Sequence, residues 1–311
     1  MTQMTSVYPE FMQMVELVSN QNPLQRKRIN NFISRQDREF WEYAEYLCHT
    51  LGRSFLKTEK GRVAVASAFN RMTMDFLKEQ IRFKKTGVYL LNDARVAREN
   101  VYDRPEVMQY YMVGLFLSYL LWPNHFKMLD FFRKYIREDL HVGRYLDVAP
   151  GHGLFAVETM QRFPTLRSTL LDISQTSIQV TSEILQTFQI DSSRYDFVNG
   201  DFLTAPIDGG KFDFISMGEV LEHVNDALGF MKRAHDLINN DGRIFMTTCT
   251  NAPAIDHIYH FHNTNEIRSL IHEAGLRILK EESLPSEDVP EEFCEVELIT
   301  INYCCILAKQ T

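Results

Sequence analysis

The chain is poor in cysteine and has no long apolar run. Five cysteines occur in 311 residues, their number is odd, and no two are spaced as CxxC. This pattern argues against a disulfide framework and predicts reduced, buried thiols in a cytoplasmic protein. The longest apolar stretch, residues 113–122, has about half the length that a bilayer span needs, so we expect a buried helix and no membrane association. The first 21 residues lack a basic n-region and a long apolar core, which argues against a signal peptide.

A strong excess of basic charge is also missing. The net charge is −8, and residues 1–140 carry 21 basic and 16 acidic side chains whereas residues 141–311 carry 12 and 25. The uneven division predicts two parts with different surfaces. The small basic excess of the first part, without a strip of interleaved aromatic and basic residues, argues against a nucleic-acid partner. We therefore expect a small-molecule substrate.

The first 122 residues show helical periodicity and no strand alternation or internal repeat. Apolar side chains recur at spacings of three and four, for example at Phe40, Tyr43, Ala44 and Leu47. The pair Trp122-Pro123 ends this pattern. We predict an all-α domain over residues 1–122, acting either as a lid on a substrate site or in homodimerisation, and a second domain over residues 123–311.

After residue 140 the pattern changes to short apolar runs that alternate with helical stretches. This order predicts an α/β fold with a doubly wound, mostly parallel sheet. The last two runs, LRILKEESL and ELITINYCCILAK, suggest two strands with no helix between them. We therefore expect an antiparallel strand at the end of the sheet.

The stretch DVAPGHG, residues 147–153, places an acid at a strand end before a glycine turn. Gly151 and Gly153 would let the backbone approach a ligand and enter a helix at once. An acid as close as Asp147 would repel a pyrophosphate but suits a cationic amino group. Asp172 ends the next strand, where a carboxylate can accept ribose hydroxyls. Asp201, beside Phe202, ends the third strand and suits an adenine.

Taken together, these motifs resemble those of class I S-adenosylmethionine (SAM)-dependent methyltransferases, and the resemblance covers residues 124–311. It implies a seven-stranded sheet with an antiparallel end and SAM as cofactor. Pro150 departs from the smaller residue usual in the turn. An aromatic side chain of the helical half is also expected at the sulfonium; Tyr110 and Tyr111 lean to opposite faces, and we assign Tyr110. The predicted cofactor-binding residues are Asp147, Ala149, Gly151, Gly153, Asp172, Ile173, Asp201, Phe202, Gly218 and Tyr110.

A second group of polar residues follows the fourth strand. In SMGEVLEHV, the spacing predicts that Glu219, Glu222 and His223 share one helix face, and His257 and His260 follow the fifth strand. His223, His257, His260 and Glu219 are the catalytic candidates. His262 is expected to cap the next helix, as Asn263 or Thr264 also could, and His152 to belong to the cofactor loop.

This second group resembles the metal-binding set of small-RNA 2′-O-methyltransferases and ubiquinone-pathway O-methyltransferases. The resemblance would imply a divalent metal on Glu219, Glu222, His223 and His257. The same EVLEHV pattern occurs in the superfamily without metal, where it lines the pocket. A metal-free site is therefore favoured.

Three functions remain open at this point. The first is a biosynthetic enzyme of secondary metabolism that methylates a hydroxyl or amine of a small metabolite by in-line displacement under a helical lid. The second is a SAM-consuming cyclase or aminocarboxypropyl transferase, for example one that forms azetidine-2-carboxylate and methylthioadenosine. The third is a non-catalytic SAM-binding scaffold.

Overall fold

The computed structural model describes residues 6–52, 58–138, 140–287 and 289–310. The first five residues of the N-terminal segment considered above lie outside this range. Helices occupy the first half, as the periodicity predicts. They are α1 (Pro9–Gln21), α2 (Pro23–Ile33), α3 (Arg38–Leu51), α4 (Glu59–Thr86), α5 (Ala94–Ala97), which continues as a π-helical turn (Arg98–Tyr102), and α6 (Pro105–Leu121).

Local sequence explains where these helices begin and end. Asp37 caps α3 by accepting a 3.0 Å hydrogen bond from the backbone N–H of Phe40. Thr58 caps α4 in the same way through Gly61. Gly87 ends α4 with a φ of +71°, a left-handed conformation that glycine adopts without a Cβ penalty. The apolar stretch 113–122 forms the last part of α6, and its leucines at 117, 120 and 121 are buried.

Strands and helices alternate in the second half. The elements are α7 (Pro123–Ile136), β1 (Arg144–Val148), α8 (Leu154–Arg162), β2 (Arg167–Asp172), α9 (Gln175–Thr187), β3 (Tyr195–Asn199), β4 (Phe212–Gly218), α10 (Ala227–Leu237), β5 (Ile238–Thr250), α11 (Thr264–Glu273), β6 (Leu276–Pro285), α12 (Glu291–Val296) and β7 (Ile301–Lys309).

The seven strands form one sheet in the order β3-β2-β1-β4-β5-β7-β6. Strands β1 to β5 pair in parallel, and β7 is antiparallel to both of its neighbours. The doubly wound sheet with an antiparallel terminal strand is therefore confirmed. The expectation of no helix between the last two strands is wrong, because α12 lies between β6 and β7. Its six residues make fewer than two turns, which is too short for helical periodicity to appear in the sequence.

Apolar side chains fill both faces of the sheet. On one face, Phe132 of α7 packs against Phe245 of β5, with ring centroids 4.6 Å apart. The same cluster continues without interruption to Phe11 and Phe40 in the helical half. The helices before residue 122 therefore share a core with the sheet, and the division at 122/123, which falls between α6 and α7, stays a prediction.

The five cysteines are all buried and free, as expected for reduced thiols. Among the described residues, none of the helices combines the length and apolar character that crossing a bilayer requires.

Candidate active site

A cavity of about 1000 Å³ opens at the carboxyl ends of the parallel strands. Its walls come from the turn after β1, the ends of β2 and β4, the loop after β5, and helices α4 and α6 of the first half. This is where ligands bind in open α/β sheets. The volume lies at the upper end of the range for small-molecule sites.

The glycine turn follows β1 and forms one wall. Ala149, Gly151 and Gly153 all have left-handed backbones, with φ of +57°, +56° and +74°. A Cβ on Gly153 would lie 2.9 Å from Cγ2 of Thr181, so only glycine fits there. The hydroxyl of Thr181 also donates a 2.9 Å hydrogen bond to the carbonyl of Gly151. The turn is thus held against α9, and Ala149 and Gly151 face the cavity.

Asp147 lies one residue below the cavity wall. Its side chain is 1% exposed and its Oδ1 accepts a 2.6 Å hydrogen bond from Ser216, whose hydroxyl also bonds Tyr145. Its Oδ2 has no hydrogen-bond partner among the described residues. Burial raises the pKa of Asp147 to about 7. A buried carboxylate with one oxygen unpartnered is suited to bind a cationic group that enters from the cavity.

The acids at the ends of β2 and β3 line the cavity directly. Asp172 accepts backbone hydrogen bonds from Ser174 (2.8 Å) and Gly151 (3.4 Å), and burial raises its pKa to about 6. Asp201 accepts a 2.8 Å bond from the N–H of Leu203, beside the buried ring of Phe202. Backbone donors fix both carboxylates, and Ile173 and Phe202 add apolar surface beside them.

Gly218 ends β4 on the cavity wall. A Cβ at this position would lie 2.6 Å from Cε2 of Phe155, so a side chain would displace that ring.

The structure places Tyr111 on the cavity wall and Tyr110 outside it. The Tyr110 hydroxyl donates to Asp75 at 2.9 Å, and the guanidinium of Arg71 lies 3.7 Å from the centre of its ring. Tyr111 instead donates a 3.0 Å hydrogen bond to Oδ1 of Asp256. The prediction that one of the two tyrosines faces the cofactor thus fits Tyr111, not the assigned Tyr110.

The residues after β4 do not form the helix that their spacing predicts. Glu219 has a left-handed backbone with φ +50°, and its N–H bonds the carbonyl and hydroxyl of Thr247. Residues 221–223 form a single 3-10 turn, and α10 begins only at Ala227, capped by Asp226. The expectation of one shared helix face is wrong, because pairing with β5 keeps the chain extended as far as Gly218, and Glu219 then takes a left-handed conformation.

Glu219 lines the cavity at the end of a chain of amides. Asn302 of β7 donates a 2.9 Å hydrogen bond to its Oε2, and Asn124 of α7 donates a 2.6 Å bond to Asn302. Oε1 of Glu219 has no hydrogen-bond partner among the described residues. Burial raises the pKa of Glu219 to about 7. All three residues line the cavity.

His223 belongs to a cluster that the sequence did not reveal as a unit. The Tyr102 hydroxyl lies 2.9 Å from Nδ1 of His223 and donates to Oδ2 of Asp256 at 3.3 Å. Tyr102 ends the π-helical turn, and its carbonyl accepts a 3.0 Å bond from Ser174 after β2. Asp256 was missed, although it opens the DHIYHFH stretch and follows a strand at the ligand edge.

The histidines after β5 separate into different environments. Nδ1 of His257 lies 2.5 Å from the carbonyl of Ala252, which can only accept, so Nδ1 carries the proton and Nε2 stays free to accept. His257 lines the cavity, and burial lowers its pKa to about 3. His260 bonds Asn251 and packs beside Tyr89, away from the cavity wall.

The sequence also predicts roles for two further histidines, His262 and His152. Asn263, not His262, caps α11 by accepting a 3.2 Å bond from Glu266. His152 lies in the glycine turn, where its Nδ1 accepts from the N–H of Leu154 and its ring packs 5.0 Å from that of Tyr119. Burial lowers the pKa of His152 to about 4.

Three of the four residues considered for a metal come together. Ligand atoms of Glu222, His223 and His257 lie within 4.8 Å of one another, and those of Glu219, Glu222 and Cys249 form a second such group. Glu222 is fully buried, and its Oε2 accepts a 2.7 Å bond from Thr248. Burial and the neighbouring Glu219 raise the pKa of Glu222 well above its ordinary value. A protonated carboxyl is a poor metal ligand.

The cavity can hold a nucleoside with a cationic amino-acid arm. Asp172 and Asp201 offer carboxylates at two strand ends, and the glycine turn leaves no space for side chains where it meets α9. Among the described residues, Oδ2 of Asp147 has no hydrogen-bond partner. These features fit SAM.

Comparisons with known proteins agree with the fold. Residues 125–281, about half the chain, match a family model described as a methyltransferase domain. No curated protein matches the chain. Among solved structures, mitomycin 7-O-methyltransferase MmcR is similar over 80% of this chain and 70% of its own, with 14% identity and a TM-score of 0.52.

Two N-methyltransferases are also similar. Phosphoethanolamine N-methyltransferase 2 of Haemonchus contortus, in complex with SAM, covers 68% of this chain and 60% of its own, at 12% identity and a TM-score of 0.52. NodS of Bradyrhizobium japonicum WM9, in complex with S-adenosylhomocysteine, is similar over 61% of this chain and 89% of its own, with 13% identity and a TM-score of 0.48. At these identities the likeness concerns the fold. With the domain match over half its length, the chain belongs to the class I SAM-dependent methyltransferases, whose cofactor is SAM.

Proposed function

We propose that this protein transfers a methyl group from SAM to a hydroxyl or amine of a small molecule. The observation that carries the proposal is the cavity of about 1000 Å³, which has two polar regions. One region consists of the cofactor acids and the glycine turn. The other consists of His223, Asp256, His257 and Glu219, and it offers room and polar groups for a second substrate.

The first region suits SAM. Asp172 would accept the ribose hydroxyls and Asp201 would accept the adenine amino group beside Phe202. Asp147, through its unpartnered Oδ2, would attract the amino group of the methionine arm. SAM supplies an activated methyl group, so the protein's contribution is to align and enclose the reactants.

The second region suits an acceptor and its proton. His257 keeps Nε2 free as an acceptor, because Nδ1 donates to the carbonyl of Ala252. The ring of His223 is held by Tyr102 and Asp256. Glu219 adds a carboxylate oxygen that has no partner among the described residues. Glu219 and His223 are candidates to accept the proton that the nucleophile loses, whereas His257, whose pKa burial lowers to about 3, is suited to accept a hydrogen bond from the acceptor.

The helical half would act as a cover. Aromatic side chains of the first half line the cavity: Phe76 of α4, Tyr111 of α6, and Trp122 directly after α6. Enclosure by these rings would exclude water from the displacement. We propose this cover role for residues 1–122 and methyl transfer for residues 123–311.

The test is product analysis by mass spectrometry. The purified protein is incubated with SAM alone, and then with SAM and a panel of small hydroxyl and amine compounds. We expect S-adenosylhomocysteine only when an acceptor is present. Methylthioadenosine formed from SAM alone, above the spontaneous rate, would overturn methyl transfer in favour of self-cyclisation. Asp172→Ala serves as the control that removes the ribose acceptor.

A further inference from the structure

Five buried or half-buried acids lie in the cavity wall or next to it and have no Lys or Arg partner in the part of the chain that the structure describes. Within the described residues, none of these carboxylates has a Lys or Arg nitrogen within 4.0 Å; two of them, Glu222 and Asp256, lie within that distance of the imidazole of His223. Arg28, Lys84, Arg95 and Arg98 also line the cavity, but none of them pairs with these acids. Burying ionised carboxylates without cations is costly, so the part of the cavity that the acids line is suited to positively charged groups. The five residues are Asp147, Asp172, Glu219, Glu222 and Asp256.

SAM alone does not neutralise the negative charge of these acids. Its ammonium and sulfonium are offset by one carboxylate, which leaves one net positive charge. Asp172 and Asp201 face groups that are neutral in SAM, and the two oxygens of Asp256 already accept hydroxyls from Tyr111 and Tyr102. Glu219 lines the cavity, and its buried Oε1 has no hydrogen-bond partner among the described residues.

Hydrogen bonds to the side chain and the backbone hold Glu219 in place. Asn302 engages Oε2 and is itself held by Asn124, so the carboxylate has one oxygen left for a ligand. The left-handed backbone at Glu219 is unusual for a residue with a side chain and is maintained by two hydrogen bonds to Thr247. Such conformations concentrate at functional sites.

Aromatic faces on the cavity wall favour the same kind of ligand. Phe76 stacks with Tyr111 at 6.1 Å and meets Trp122 edge-on at 5.6 Å, and all three line the cavity. Aromatic rings grouped around a site attract ammonium ions through their negative faces. The acids and the rings therefore both favour positive charge at the parts of the wall that they form.

We infer that the methyl acceptor is an amine that enters as an ammonium ion, with Oε1 of Glu219 as its partner and proton acceptor. This inference rests on the methyl transfer proposed above and narrows its substrate class. In the step, an ammonium N–H proton passes to Glu219 and frees the nitrogen lone pair. That pair forms the new N–C bond to the methyl group of SAM, and the electrons of the broken C–S bond stay on sulfur. The products are the N-methylated amine and S-adenosylhomocysteine.

The direct test compares paired probes that differ only in the nucleophile. Benzylamine with benzyl alcohol, 2-phenylethylamine with 2-phenylethanol, and cadaverine with 1,5-pentanediol are titrated by calorimetry into protein loaded with S-adenosylhomocysteine. We expect at least one amine to bind about tenfold or more tightly than its alcohol, as a charge-assisted hydrogen bond implies. The inference is overturned if no amine binds more tightly than its alcohol.

Variants identify the group responsible. Glu219→Gln keeps an oxygen for Asn302 but removes the charge, and it should abolish the amine preference while the Kd for SAM changes less than about twofold. Glu287→Gln is the control, because Glu287 is an exposed acid that also lines the cavity. An amine preference that survives in Glu219→Gln would contradict the assignment.

The two proposals fail in different ways. Methylation of an alcohol probe with no amine preference would overturn the amine inference and leave methyl transfer standing. Methylthioadenosine from SAM alone would overturn methyl transfer itself.

Discussion

The hydroxyl of Tyr111 donates a 3.0 Å hydrogen bond to Oδ1 of Asp256, although 145 positions separate the two residues in the chain. The bond joins helix α6 of the first half to the loop after β5. Both residues are buried, so the contact is shielded from water. It links α6 to the ligand edge of the sheet, and both residues line the cavity.

Tyr111→Phe should therefore destabilise the protein and weaken acceptor use. Removing the hydroxyl leaves a buried carboxylate oxygen without its donor, at a cost of about 1–3 kcal/mol in the free energy of unfolding. Urea denaturation measures this. Tyr110→Phe is the matched control, since its hydroxyl bonds Asp75, whose side chain is partly exposed and keeps Lys78 as a partner, and its loss should cost less than about 0.5 kcal/mol. Equal losses in the two variants would contradict the role given to the Tyr111 contact.

Gly153→Ala should impair both folding and SAM binding. Its φ of +74° disfavours a side chain, and the added Cβ would lie 2.9 Å from Thr181. Gly87→Ala isolates the first effect, because φ there is +71° and nothing lies within 4 Å of the added atom. We expect about 1 kcal/mol of destabilisation for Gly87→Ala, and more for Gly153→Ala. Calorimetry with SAM should show reduced affinity in Gly153→Ala alone; a normal Kd would contradict the position of the turn.

The stability of the SAM-free protein should fall as pH rises from about 4 to about 7. Burial raises the pKa of Asp147 from 3.8 to about 7, so the folded state binds a proton in this window that the unfolded state has lost. By linkage, the free energy of unfolding then decreases with rising pH. Asp147→Asn should flatten this dependence in urea denaturation at pH 5 and pH 8, whereas the exposed Asp191→Asn should not. An unchanged slope in Asp147→Asn would show that Asp147 is not the titrating group.

SAM affinity should change in the opposite direction with pH. Asp172 must be ionised to accept two ribose hydroxyls, and its pKa is raised to about 6 by burial. Binding should therefore weaken as pH falls through about 6, as calorimetry at pH 5, 6 and 8 would show. A Kd independent of pH over this range would contradict the ribose role.

Turnover should not depend on a divalent metal. Glu222 is buried beside Glu219 and favours its protonated form, which is a poor ligand. Treatment with EDTA and the variant Glu222→Gln should both leave the rate of S-adenosylhomocysteine formation unchanged. Loss of activity in EDTA with recovery on adding Mn²⁺ would instead identify Glu222, His223 and His257 as a metal site.

Local sequence was sufficient to predict the positions of the three cofactor acids. The acids at Asp147, Asp172 and Asp201 follow strands whose apolar runs are evident, and parallel strands bring their carboxyl ends to one edge. The helix expected from Glu219 to His223 was wrong, because hydrogen bonds to Thr247 on β5 override the residue spacing. Asp256 was missed, because its importance comes from two tyrosines more than 140 positions away.

By itself, the sequence determined the order of the seven strands along the chain, the glycine turn and the family. Periodicity and turn residues act over a few positions, so they can be read without the fold. Only the tertiary structure decided that Tyr111 rather than Tyr110 lines the cavity, and that Asn124 and Asn302 orient Glu219. Those relationships depend on how α6, α7 and β7 pack across the sheet, and packing between distant segments leaves no local pattern in the chain.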